Sequence, residues 1–200
     1  MQSGSHTPAS SETDEPRYAA GSIVTARSSE VNRQIVLIGM MGVGKSTVGR
    51  MLAAHLGRDF WDNDDALTTT TGRTAAEVQT ADGQAALHQL ENQLLTEALR
   101  TNTPTVFAAA SSVVLDPEVL RGSLTVWLRA STEAEERNLL ASGQHHRPLP
   151  PAPDAYLRRL AAERDPLYAH LADVIVDVGA DPETTYDRVL EALAGTQGVT

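Results

Sequence analysis

Cysteine is absent from the 200 residues, and lysine nearly so: of 16 basic side chains fifteen are arginine and one is Lys45. The missing thiols exclude a disulfide framework, a thiolate metal site and a cysteine nucleophile. Aromatic residues are scarce at 4%, so aliphatic side chains must form the core. Surplus positive charge is also lacking. A net charge of −10 argues against nonspecific binding to nucleic acid or anionic lipid, since both need a basic surface. No apolar run approaches the roughly 20 residues of a membrane span, and the first residues lack the basic-then-apolar layout of a secretion signal. The expectation is a cytoplasmic protein that engages neither nucleic acid nor membrane, read as a monomer.

Residues 1–32 are rich in Ser, Thr, Glu and Ala without sustained periodicity. They read as a flexible tail, with 21–26 as a weak strand candidate. From Arg33 the pattern changes, and 33–200 reads as one domain. The continuous apolar run Ile35-Val36-Leu37-Ile38 has the character of a strand buried on both faces of a parallel sheet. Further strands are expected at 59–61, 105–110, 124–128 and 174–178. Helices are expected at 45–56, 62–70, 74–80, 83–100, 132–141, 154–164 and 182–194, with a helical turn at 117–121. Strands alternating with helices predict an α/β fold with a parallel sheet covered on both faces, and ligands at the carboxyl ends of the strands.

The turn after the first strand reads Gly39-Met40-Met41-Gly42-Val43-Gly44-Lys45-Ser46. It satisfies the eight-residue P-loop pattern in its required place, after a strand and at the start of a helix. Glycines let backbone N–H groups curl around an anion, and the helix N-terminus adds partial positive charge. Gly42, Val43, Gly44, Lys45, Ser46 and Thr47 are therefore the candidate ATP-binding residues. Lys45 would reach the outer phosphates, and the Ser46 hydroxyl would ligate Mg²⁺. In a chain that otherwise uses arginine, the lone lysine stands where a compact ammonium suits phosphate oxygens. A P-loop alone is shared by kinases, hydrolysing ATPases, GTPases and motor domains.

Additional segments narrow the choice: Asp62-Asn63-Asp64, Thr71 to Val78, Asp82-Gly83, Val114 to Glu118, Arg147-Pro148-Leu149, and Glu163 to Tyr168. With the P-loop, their order and intervals over about 34–194 resemble the shikimate kinase family. The resemblance implies the P-loop NTPase fold: a doubly wound, five-stranded parallel sheet of order 2-3-1-4-5 with a helical lid. It also implies Mg-ATP-dependent phosphorylation of a hydroxyl on a small metabolite, in that family shikimate. Asp62 would hold Mg²⁺ through water, and Asp64 would orient the acceptor hydroxyl and take its proton. Arg147, in a lid with prolines at 148, 150, 151 and 153, would close over the nucleotide, and Arg164 would grip the acceptor's carboxylate. Capping of a following helix is the simpler role for these acidic residues, and the one expected of Asp65. Arg158 and Arg159 read as surface charges, and His145 and His146 as solvated loop residues.

Two departures fall in the acceptor pocket. Where the family has Phe-Arg-x-x-Glu, this chain has Leu87-His88-Gln89-Leu90-Glu91, so His88 replaces an arginine. Where the family has three glycines, this chain has Ala110-Ser111-Ser112. His88, Ser111 and Ser112 thus join Asp64 and Arg164 as candidate acceptor-binding residues. Loss of one arginine fork and crowding of the glycine face would weaken shikimate binding by about two to four orders of magnitude. The expected activity is ATP-dependent phosphorylation of a small hydroxylated metabolite in an altered pocket. The contrasting reading is a nucleotide-binding regulatory or partner module without turnover. A gluconate or nucleoside monophosphate kinase is a third, opposed by the Arg164 to Tyr168 segment.

Overall fold

The computed structural model describes residues 33–142 and 153–196. Five strands, β1 (Ile35–Ile38), β2 (Asp59–Asp62), β3 (Thr105–Ala108), β4 (Leu124–Arg129) and β5 (Val174–Asp177), form one sheet of order β2-β3-β1-β4-β5. Every ladder is parallel. β1 lies in the middle, paired to β3 on one side and β4 on the other, and all four of its side chains are buried. That double burial is why its sequence is apolar without alternation. The edge strand β5 alternates instead, with Val174 and Val176 buried and Ile175 and Asp177 exposed.

Among the described residues seven α-helices connect and cover the strands: α1 (Lys45–Leu56), α2 (Asn63–Thr71), α3 (Ala75–Asp82), α4 (Gln84–Ala98), α5 (Thr132–Ser142), α6 (Pro153–Leu171) and α7 (Pro182–Thr196). The main core joins the sheet to α1, α4, α6 and α7, with the rings of Trp127 and Tyr168 stacked at 5.6 Å. A smaller core of Leu67, Ala75, Val78 and Leu87 ties α2, α3 and α4 together, with Leu90 and Leu94 packed on it. Thr74 starts α3 with a capping box, accepting from the Glu77 N–H while Glu77 accepts from the Thr74 N–H. α4 belongs to both cores because Leu87, Glu91 and Leu95, each four residues from the next, form its buried stripe.

The sequence expectation for α6 stops at Arg164, short of Pro166, whereas the helix runs on to Leu171. A proline inside a helix costs about 3 kcal/mol in lost hydrogen bonding and ring clash. Here Leu157, Leu160, Arg164 and Tyr168 make one buried stripe across the proline, while Pro166 itself is exposed. Packing on both sides of the break outweighs the local penalty. β3 is shorter than expected, ending at Ala108. Beyond it the Ala109 N–H still bonds to Leu37 O, but the Ala110 N–H turns to the side chain of Asn63. The strand candidate at 21–26, the tail and the proline-rich segment of the lid lie outside the described residues.

Candidate active site

The carboxyl ends of β1, β2, β3 and β5 open into one cleft of about 600 Å³. β1 delivers the loop that forms its floor. Gly42 and Gly44 have φ of 78° and 90°, the left-handed region open to glycine, and Gly44 is the N-cap of α1. Gly39 is required for a second reason: a Cβ there would stand 2.6 Å from the Leu128 carbonyl oxygen. The loop can therefore pass beside β4 only as bare backbone. Lys45 donates from Nζ to the carbonyl oxygens of Gly39 and Met40, at 2.9 and 2.8 Å, folding its ammonium over its own loop. Gly42, Val43, Gly44, Lys45, Ser46 and Thr47 all line the cleft.

β2 brings in the acidic residues. Asp62 is the N-cap of α2, its Oδ1 accepting the Asp64 N–H at 2.9 Å. Both carboxylates line the cleft, so capping and a site position coincide in Asp62. Asp65, exposed, pairs with Arg50 at 3.0 Å. Asn63 was not expected to matter. It is buried, lines the cleft and accepts the Ala110 N–H at 3.3 Å, tying the start of α2 to the end of β3.

At the end of β3, Ala110, Ser111 and Ser112 have distinct surroundings. Ala110 and Ser111 line the cleft; Ser112 does not. Ser112 is fully buried and donates from Oγ to Glu91 Oε2, which secures α4 from within. Ser111 accepts two bonds from Arg164 Nη1, on its carbonyl oxygen at 3.1 Å and its Oγ at 3.0 Å. Its carbonyl also accepts from the Tyr168 hydroxyl at 2.7 Å. Arg164 is only 4% exposed. His88 and Arg164 are not among the residues lining the cleft. Arg147 lies outside the described residues, as do His145 and His146. Arg158 and Arg159 are exposed and pair with Asp154 and Glu163.

The far wall contains residues that the sequence reading passed over. α5 contributes Ala134, Arg137 and Asn138, and the loop after β5 contributes 179–182. Asn138 donates to Gly42 O at 3.0 Å, linking α5 to the phosphate loop. The rule that ligands collect at strand carboxyl ends pointed to the loop after β5; no local pattern marks Arg137 or Asn138. Nor did any mark Glu135, which is 2% exposed, with Oε2 buried and lacking a hydrogen-bond partner. Its carboxyl is pushed up to about 8, first by burial and then by Asp165, with Lys45 pulling the other way. Burial also raises the Asp165 carboxyl, opposed by Arg129. Tyr168 is raised as well, chiefly by burial, opposed by Arg164.

With the cleft in view, the relatives can be weighed. The profile of the family described as shikimate kinase matches residues 41–194. The chain belongs to the shikimate kinase family. It is 36% identical over 173 residues to the shikimate kinase of Paramagnetospirillum magneticum, covering 83% of this chain and 87% of that one. It is 34% identical over 179 residues to that of Synechococcus elongatus, covering 86% and 90%. A solved structure of Acinetobacter baumannii shikimate kinase in complex with shikimate superposes with a TM-score of 0.77 at 27% identity, covering 84% of this chain and 96% of that one. Strand order and family agree, and the protein is an ATP-binding kinase of the type that phosphorylates an alcohol group. No helix among the described residues is long and apolar enough to cross a membrane.

Proposed function

We propose that this member of the shikimate kinase family transfers the γ-phosphoryl group of ATP to a hydroxyl of a small polyhydroxylated metabolite, shikimate or a relative, in an altered acceptor pocket. One observation carries the reading: the P-loop, with Lys45 and Ser46, shares a single cleft with Asp62 and Asp64.

The backbone N–H groups of 42–47 bind the phosphates of ATP, and α1 lends its N-terminal charge. Lys45 leaves the Gly39 and Met40 carbonyls for the outer phosphates, where charge accumulates during transfer. Ser46 and Asp62 suit Mg²⁺, which favours few protein oxygens and fills its shell with phosphate and water. Asp62 uses Oδ1 for its cap, leaving Oδ2 for a metal-bound water. Bound there, the ion would neutralise phosphate charge and align the leaving oxygen.

Asp64 orients the acceptor hydroxyl and accepts its proton as that oxygen attacks the γ-phosphorus in line, releasing ADP. Arg137 and the loop at 179–182 line the same cleft, and this reading assigns them to the base and ribose. Arg147, from the proline-rich segment, closes over the phosphates. His88, Ser111, Ser112 and Arg164 shape the acceptor end, Ser112 through its bond to Glu91.

The test is ADP release from Mg-ATP with a panel of hydroxy acids and polyols that includes shikimate. Turnover with one acceptor is expected, and nucleotide consumption with none would overturn the proposal. A nucleotide-binding module without turnover is the second reading. It is favoured by the bonds between Arg164 and Ser111, which satisfy two acceptor-site residues without an acceptor. Normal ATP binding with no phosphoryl transfer would select it.

A further inference from the structure

Ser111 stands between the cleft and the guanidinium of Arg164. It lines the cleft, which Arg164 does not, and Arg164 Nη1 donates to both the carbonyl oxygen and the Oγ of Ser111. Gripping a carboxylate end-on requires N–H groups from Nη1 and Nη2 together. With Nη1 committed, that fork is closed. The Tyr168 hydroxyl donates to the same carbonyl at 2.7 Å, so that oxygen stays satisfied if the guanidinium turns away, and the bond to Oγ is the one that belongs to serine alone. The serine Oγ accepts from the guanidinium and keeps its own O–H and a second lone pair, a pattern that matches an acceptor hydroxyl. Among the described residues Arg164 has no ion pair, so its positive charge is met by neutral oxygens.

Resting on the reading of this cleft as an acceptor site, we propose that Ser111 is a specificity-determining residue: it masks Arg164 and turns the pocket toward uncharged, polyhydroxylated acceptors. A hydrogen bond to a charged group is worth more than one between neutral groups. Masking should therefore lower the preference for a carboxylate over a neutral equivalent by about 10- to 100-fold.

The experiment is calorimetric titration of the MgADP-bound protein with shikimate and with its primary amide, which keeps the ring hydroxyls and loses the charge. Wild type, Ser111→Ala and Ser111→Gly are compared, with melting temperature as the control for folding. Wild type should bind the amide at least as tightly as the acid. Ser111→Gly should shift the acid-to-amide ratio by about 10- to 100-fold toward the acid, and Ser111→Ala by part of that. If wild type binds neither, acid binding gained by the glycine variant supports the proposal, and no gain overturns it. An unchanged ratio across the three proteins, or a wild type that prefers the acid, also overturns it. The ratio is read from binding, so a kinase reading lost for want of turnover is distinguished from a wrong assignment of Ser111.

Discussion

The nucleotide end of the cleft is built on a loop shaped by glycine torsions and on a helix N-terminus. The proposed acceptor end depends on side chains bonded into their surroundings: Ser111 to Arg164 and Tyr168, Ser112 to Glu91, and Asn63 to the Ala110 backbone. A backbone site tolerates change around it, because its ligand contacts are properties of the chain path. A side-chain site is redefined whenever one member changes, as its partners are left to find new bonds. A change in the proposed acceptor end can therefore leave the nucleotide loop as it is.

Removing the lysine from the phosphate loop should break this contrast most strongly. Lys45→Ala is expected to reduce turnover about a thousandfold or more, by withdrawing the charge that stabilises the transferring phosphoryl group. ADP release under saturating acceptor measures it. A variant retaining a tenth of the rate would mean that the loop backbone alone does the work.

Glu135 is the exception at the nucleotide end, a buried carboxyl with Asp165 facing it from α6 and Lys45 from the phosphate loop. Unfolded, it titrates near 4.5; folded, near 8. Between those values the folded protein retains a proton that the unfolded chain has released, so stability is full below 4.5 and declines as pH rises toward 8. At about 1.4 kcal/mol per unit the loss amounts to a few kcal/mol. Glu135→Gln should raise the melting temperature at pH 8 and leave it nearly unchanged at pH 4.5. Equal effects at both pH values would remove the titration from the account.

A smaller effect sharpens the acceptor side. Ser112→Ala leaves the fully buried Glu91 without the Ser112 donor, and should cost about 1–3 kcal/mol in chemical denaturation. Ser111→Ala, at the cleft surface, should cost less. Equal losses would indicate that both serines serve structure alone.

What could be read from the sequence divides along the same line. The strand Ile35–Ile38, the phosphate loop and the alternation of elements are local patterns, and the sheet order came with the family resemblance that the homologues bear out. Element limits failed where distant packing intervenes, as when the buried stripe of α6 carries that helix past Pro166. The contacts of Ser111 reach 53 and 57 residues along the chain, and that of Ser112 reaches 21. Residue type and motif position could mark these serines as departures, but could not say which would face the cleft and which would turn inward. Glu135 looks in sequence like one more charge on an acidic helix; only its burial between α5 and α6 sets it apart.

The resting posture of Lys45 has a consequence for discrimination among anions. Its ammonium already holds two carbonyl oxygens, so any incoming anion competes with bonds that exist before it arrives. A lone inorganic phosphate or sulfate meets fewer of the loop's N–H groups than a chain of three phosphates does. A nucleoside triphosphate, filling the nest and reaching the lysine together, offers the ammonium more oxygens than the two carbonyls it leaves.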